Sequence, residues 1–340
     1  MALKIAINGF GRIGRSFFKI ALDRPDDFDI VAINDLTDEK TLAYLLKYDT
    51  VYGRYGKKVE VAKEAAKTYL KVDDKKVLSL REKDPEKLPW KELGVDAVIE
   101  ATGAFTNKEG ASKHLKAGAE RVIITAPAKD EIPHLLPGVS DEEFRGDKLS
   151  KITSDGSCTT NAVAPVMKIM SETVGVKKAL LNTIHAYTIS QNIVDGPHKN
   201  LGRGRAAAQN IVPTLTGAAK VTGKVIKELD GNFDGIATRV PVICGSLADI
   251  TFVTKKETSV DEVNKIFIDA AQDKKWKNIF KVTNDPIVSS DIIGDPYASI
   301  LDLSFTKVAG GDLVKVLAWY DNEWAYCATL AEHVLRVCQI

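Results

Sequence analysis

The chain has 340 residues, 44% hydrophobic and 27% charged, with a net charge of +1. That length exceeds one small core and predicts two domains, and the composition is that of a soluble globular protein. Near-neutral charge argues against nucleic acid as the main partner. No apolar run is long enough to span a membrane, and no leader peptide is read at the start, so the expected location is the cytoplasm.

Residues 3–8, "LKIAIN", predict a short buried strand. "GFGRIG" follows with Gly9, Gly11 and Gly14 in a G-x-G-x-x-G pattern, then a helical stretch and a second apolar strand, "FDIVAIN", ending at Asp35. Within about 30 residues this is the strand, glycine turn, helix and strand of a dinucleotide site. Gly9 permits the tight turn, Gly11 lets backbone approach a pyrophosphate, and Gly14 lets helix and strand pack closely. Asp35 lies about 20 positions beyond, where a carboxylate accepts from ribose hydroxyls and repels a 2′-phosphate, which favours NAD. The lysine-rich stretch 57–77 predicts an exposed hairpin. Strands 95–103 and 121–125 end in small residues, including Thr102 and Thr125, as suits a cofactor across the carboxyl edge of a parallel sheet.

"SDGSCTTNAVAP", 154–165, places Cys158 at the start of a predicted helix behind capping residues such as Ser157. A thiol there meets the positive end of the helix dipole and is a candidate nucleophile. Cys244, Cys327 and Cys338 lie in apolar surroundings and read as structural, with no spacing that suggests zinc or another metal. Of the five histidines, His114 and His333 are expected on the surface and His134 in a loop. His185 ends the alternating run 176–188, and spacing alone leaves open whether it is structural or a base for Cys158. A long irregular loop follows, with Lys199, Arg203 and Arg205 near Thr188 and Thr216; it reads either as a solvated basic loop or as a site for an anionic substrate. Long alternating runs from 176 to 320 predict a mostly antiparallel sheet with one face covered.

Together, "INGFGRIGR" (7–15), "LLKYDTVYGRY" (45–55), "ATGAFT" (101–106), "SCTTNAVAP" (157–165), "PHKNLGRGRAAAQNIVPTLTGAAK" (197–220) and "WYDNEWAY" (319–326) resemble the phosphorylating glyceraldehyde-3-phosphate dehydrogenases. The resemblance implies an α/β chain. Residues 1–157 with 322–340 would form a Rossmann-type doubly wound NAD-binding domain, and 158–321 an α+β catalytic domain. It implies Cys158 as nucleophile and His185 as its base. Arg12, Ile13 and Asn322 become cofactor contacts, Asn322 at the nicotinamide amide. Thr188 and Arg239 become contacts to the substrate's phosphate, and Ser157, Thr159, Thr216, Gly217 and Arg239 gather oxyanions. The implied reaction converts glyceraldehyde 3-phosphate, NAD and inorganic phosphate to 1,3-bisphosphoglycerate in a homotetramer. Erythrose-4-phosphate dehydrogenase is an alternative, as is a nucleotide- or RNA-binding relative without the chemistry. The chain departs from the family pattern at Asp155, where asparagine is frequent, at Ser190 in place of an acidic residue, and at Gly196, Gly202 and Ala325.

Overall fold

The computed structural model describes residues 1–145 and 149–338. The chain divides into two compact units: 1–135 with 142–156 and the end of the last helix from Leu330, and 136–141 with 157–329. The division therefore falls inside the final helix, not ahead of it at 322. Segment 136–141 also leaves the first unit, because Leu136 and Val139 belong to the apolar core of the second.

The first unit contains β1 (Leu3–Asn8), α1 (Arg12–Leu22), β2 (Phe28–Asn34), α2 (Glu39–Lys47), the two-residue strands β3 (Tyr48–Asp49) and β4 (Gly53–Arg54), then β5 (Val59–Glu64), β6 (Lys67–Val72) and β7 (Lys75–Leu80). It continues with α3 (Trp90–Leu93), β8 (Ala97–Glu100), α4 (Lys108–Lys116), β9 (Arg121–Ile124) and β10 (Ile152–Ser154). The sheet order is β10-β9-β8-β1-β2-β7-β6-β5. Pairing is parallel from β10 to β7, and β5 and β6 extend the edge as antiparallel strands. The central strands read as near-continuous apolar runs because helices cover both faces. Ile5, Ala6 and Ile7 are fully buried, as are Ala97, Val98 and Ile99. The lysine-rich 57–77 segment is this edge hairpin, with most of its lysines exposed.

The second unit contains α5 (Cys158–Thr173), β11 (Val176–Ala186), β12 (Val212–Leu215), α6 (Ala218–Val225), β13 (Phe233–Val240), β14 (Ser246–Thr254), α7 (Val260–Gln272), β15 (Phe280–Thr283), β16 (Ser299–Ala309), β17 (Leu313–Tyr320) and the first turns of α8 (Trp324–Cys338). The sheet order is β12-β13-β11-β14-β17-β16-β15, antiparallel except at β11–β13 and β15–β16. Period-two alternation sorts β11 into two faces. Ala179, Leu181, Thr183 and His185 turn to the buried side, where α5 packs, while Leu180 on the other side is 67% exposed. Among the described residues, no helix is long and apolar enough to cross a membrane.

Candidate active site

In the first unit the glycine turn lines a cavity of about 790 Å³ with Asn8, Gly9, Gly11, Asn34, Asp35 and Thr102 on its wall. Gly9 has φ +95°, and a Cβ there would lie 2.6 Å from the backbone of Ala101. At Gly14 a Cβ would sit 2.1 Å from the carbonyl oxygen of Gly9. These two glycines answer to turn and packing. Gly11 differs: a Cβ would meet nothing within 4 Å. What it leaves open is room beside the N-terminus of α1, where Gly11 is the N-cap, no side chain caps the helix and no acidic residue lies in the first turn. That is the arrangement an anion requires. Asp35 is half-buried; Oδ2 accepts from Phe10 N at 2.8 Å and Oδ1 from Thr37 N at 2.9 Å. Its carboxylate is therefore held at the cavity wall. These residues fit the adenosine and pyrophosphate of a dinucleotide.

The other cofactor candidates are placed as follows. Arg12 pairs with Asp49 at 2.6 Å and lies over the Tyr52 ring, and Ile13 is half-buried in the first turn of α1. Thr125 donates its hydroxyl to Glu100 O at 3.1 Å. Two expectations are corrected in this unit: His114 and His333 are fully buried, not on the surface. His114 lies between the Trp90 indole and Glu100. His333, near the end of α8, lies between Thr153 Oγ1 at 2.8 Å and Asp155 Oδ1 at 3.2 Å.

In the second unit, Ser157 is the N-cap of α5, its Oγ accepting from Thr160 N at 3.1 Å, which makes Cys158 the first helical residue. Cys158 Sγ is 3.4 Å from His185 Nε2. The pairing that spacing left open thus follows from two local rules, a cap that starts α5 at Cys158 and an alternation that turns His185 to the helix side. Burial pushes the Cys158 thiol up, opposed by the charge of Arg239. Burial, with Arg239 adding to it, pushes His185 down to about 3. Either charge alone is disfavoured there. Passing the proton from Sγ to Nε2 creates both together at contact distance and leaves the net charge unchanged, with the helix terminus and Arg239 favouring the thiolate.

Arg239 is the other pole of the site. Its Nη1 lies 2.8 Å from Ala186 O and 2.6 Å from His185 Nδ1, which is itself 2.7 Å from Ala186 O. A carbonyl can accept from both nitrogens, but two N–H groups that close repel, so the three contacts are not satisfied together. Arg239 Nε is buried with no partner among the described residues. A desolvated guanidinium with a donor unspent is half of an anion site. Thr188 Oγ1 lies 2.9 Å from Ser190 Oγ, which accepts from Arg203 Nη1 at 3.2 Å. Of the loop cations, Arg203 also binds Thr214 and Arg205 pairs with Asp195 at 2.9 Å, so these two are tied within the loop. Thr216 Oγ1 accepts from Ala218 N at 3.2 Å, and Gly217 is the exposed N-cap of α6. The Thr159 hydroxyl lies 2.9 Å from Tyr320 OH, and both that hydroxyl and the Thr159 backbone N–H bear on the Cys158 thiol. Asn322 Oδ1 accepts from Gly245 N at 3.2 Å and Ser246 Oγ at 2.9 Å, which makes Nδ2 the outward end of the amide.

Residues 3–108 match the family model described as glyceraldehyde 3-phosphate dehydrogenase, NAD binding domain, and residues 157–322 match its C-terminal domain. The chain belongs to the glyceraldehyde-3-phosphate dehydrogenase family. As a member of that family it is an oxidoreductase that uses NAD. Among curated relatives, the glyceraldehyde-3-phosphate dehydrogenase of Streptomyces coelicolor is 48% identical over 332 residues, 98% of this chain and 97% of that one. That of Mycobacterium bovis is 48% identical over 342 residues, 99% of each chain, and that of Borreliella burgdorferi is 47% identical over 336 residues, 97% and 98% of the two. Sequence reasoning missed Tyr320, whose buried hydroxyl joins Thr159 to Thr183 at 2.7 Å and whose ring meets His185 edge-on. It also missed Glu100, although an acid closing the all-apolar strand "AVIE" was a visible signal.

Proposed function

We propose that the chain oxidises glyceraldehyde 3-phosphate and traps the acyl group as 1,3-bisphosphoglycerate, in the cytoplasm, with Cys158 as nucleophile. The observation that carries this is Cys158 Sγ at a helix N-terminus, 3.4 Å from His185 Nε2, with Arg239 against the same imidazole. A substrate phosphate on Thr188 and Arg239 draws the guanidinium off Nδ1. Nδ1–H then donates to Ala186 O alone, and Nε2 is left to take the thiol proton. The thiolate attacks the aldehyde carbon, a C–S bond forms, and the carbonyl electron pair moves to oxygen, which takes the proton back from His185 Nε2 to give a thiohemiacetal and leave Nε2 free. The Thr159 and Cys158 backbone N–H groups at the head of α5 stabilise that oxygen. Gly9, Gly11, Gly14, Arg12, Ile13, Asp35, Thr102, Thr125 and Asn322 are the residues that would hold NAD⁺, which would supply the acceptor for the hydride that the hemiacetal carbon loses. His185 Nε2 takes the hydroxyl proton, leaving a thioester on Cys158. Inorganic phosphate, bound by Ser157, Thr159, Thr216, Gly217 and Arg239, attacks that carbon, the C–S bond breaks, and the acyl phosphate departs with Cys158 again a thiolate.

The working unit is a homotetramer in this reading. Two features support burial against other copies. The sheet face opposite α5 exposes Leu180, Ile236 and Leu313, and the 187–215 segment exposes Ile189, Ile193, Val194, Leu201, Ile211 and Leu215. Sedimentation of a monomer at micromolar concentration would remove the oligomer. The reaction is tested by following NADH with glyceraldehyde 3-phosphate or erythrose 4-phosphate, with and without inorganic phosphate. Steady turnover should need the triose and phosphate together. Undiminished turnover without phosphate, or preference for the tetrose, would overturn the proposal.

A further inference from the structure

Glu100 closes β8 fully buried, and the hydrogen bonds around it fix its chemistry. The Trp90 indole can only donate, and it donates Nε1–H to His114 Nδ1 at 3.0 Å. His114 is therefore neutral with its proton on Nε2, which donates to Glu100 Oε2 at 3.0 Å. The same oxygen accepts from Asn8 Nδ2 at 2.6 Å. Asn8 cannot turn its amide around, because its Oδ1 already accepts from Asn34 Nδ2 at 2.7 Å. On the other side, Glu100 Oε1 accepts from Thr102 N at 2.9 Å and from the Thr102 hydroxyl. That hydroxyl oxygen also accepts from Ala104 N at 3.0 Å. Four hydrogen bonds therefore converge on the two carboxyl oxygens, and three of their donors, Thr102 N, Asn8 Nδ2 and His114 Nε2, are fixed in direction by their other bonds.

Asn8, Asn34 and Thr102 are also residues of the cavity wall. Buried charge without a counter-charge is costly and is retained only where the surrounding donors repay it. We infer that Glu100 is a positioning residue for the cofactor: it locks the Thr102 turn and the Asn8–Asn34 floor into the shape that receives NAD. The inference rests on the reading that this cavity holds the dinucleotide.

An amide at 100 can accept on one side only, so Glu100→Gln must release either Thr102 or the Asn8 and His114 donors. Exchanging the two groups gives each released donor an acceptor again. In Asn8→Asp/Glu100→Gln, the glutamine oxygen keeps both Thr102 donors and its nitrogen donates to the new aspartate. His114 Nε2 sits only 3.4 Å from the Asn8 amide nitrogen and finds an acceptor there. NAD affinity is measured on the full-length protein by calorimetry, beside KM for NAD, KM for the sugar phosphate, and the rate at which iodoacetamide alkylates Cys158.

Glu100→Gln should raise the Kd and KM for NAD at least about tenfold, as expected for lost hydrogen bonds to a charged group. The sugar-phosphate KM and the alkylation rate should stay within about threefold, whereas a merely structural lesion moves all four together. The exchange variant should bind NAD within about threefold of the unmodified protein, and it decides the matter alone if the single variant does not fold. Unchanged NAD affinity in Glu100→Gln, or an exchange variant that binds no better than the single one, would overturn the inference. Failure of the cofactor reading itself shows elsewhere, as absence of NAD binding by the unmodified protein.

Discussion

Asp155→Asn is the substitution whose sign is most sharply set by the structure. Asp155 is fully buried in the turn between β10 and α5, with Oδ1 3.2 Å from His333 Nδ1. Burial raises its pKa from 3.8 to about 6, His333 opposing the rise without cancelling it. A folded pKa above the unfolded one means that the native state binds the proton more tightly. Stability is then greatest below about 3.8 and is lost as pH rises through about 6. Each tenfold gain in proton affinity is worth about 1.4 kcal/mol, so a rise from 3.8 to about 6 sets the cost of the ionised carboxylate at roughly 3 kcal/mol at neutral pH. Asparagine keeps an oxygen for His333 Nδ1–H and has no charge to bury. The variant should therefore be more stable by about 1–3 kcal/mol in urea unfolding at pH 7.5 and fixed protein concentration. The gap should shrink as pH falls through 6 and close toward 4. A variant less stable at pH 7.5, or a gap that widens in acid, would refute the reasoning. The second result would mean that a charged His333 holds the carboxylate ionised.

Three further perturbations address the chemistry. Iodoacetamide at neutral pH should label Cys158 before Cys244 and Cys327, which are buried, and before Cys338, whose thiol burial pushes up to about 12; even labelling of all four would discard the activated thiol. His185→Ala should slow both that alkylation and hydride transfer. Arg239→Ala should raise the KM for the sugar phosphate roughly 10- to 100-fold through loss of a charge-assisted contact. Because Arg239 depresses His185, its removal should also move the acid limb of the kcat/KM profile to higher pH, and an unmoved limb would show that the two are not coupled. NAD should exceed NADP by at least about tenfold in catalytic efficiency, a difference of about 1.4 kcal/mol. Asp35→Ala should narrow that ratio by improving NADP binding, since the Phe10 and Thr37 N–H groups hold the carboxylate in place. Equal efficiency in the unmodified enzyme would assign the choice to another residue.

What the sequence made legible was local. The glycine spacing at 9, 11 and 14 is readable because Gly9 answers to a positive φ, Gly11 to an opening and Gly14 to a contact with Gly9, although the approach of Ala101 to Gly9 comes from far along the chain. The alternation of β11 sets the face of His185, and the Ser157 cap sets the start of α5, so the Cys158–His185 pair needs only that helix and strand pack together. Of the two misplaced histidines, one has its partner far along the chain, whereas His114 meets Glu100 only 14 residues away and Trp90 only 24. His333 meets Asp155 at a separation of 178 residues, and Glu100 meets Asn8 at 92. A helix with polar neighbours has the same composition whether its histidine faces water or a buried carboxylate, and one sequence carries no record of such pairs. The Thr159–Tyr320 contact was out of reach for a related reason, since the two lie 161 residues apart.

Glu100 and Asp155, two of the buried carboxylates, differ in their surroundings. Glu100 receives four hydrogen bonds, two on each oxygen. Asp155 leans on the His333 imidazole through Oδ1, and its pKa rises to about 6. Both are buried, and hydrogen bonds to a carboxylate oppose the cost of desolvation bond by bond. The frequent asparagine of the family at position 155 would meet His333 with no charge at all. Substituting an amide for each should therefore produce opposite results. At 155 it removes a burden and stabilises, while at 100 it leaves two donors facing a third and loosens the wall of the cofactor cavity. If both amides stabilised the protein at pH 7.5, the four donors around Glu100 would be worth less than the desolvation they offset, and its place beneath the cavity would need another explanation.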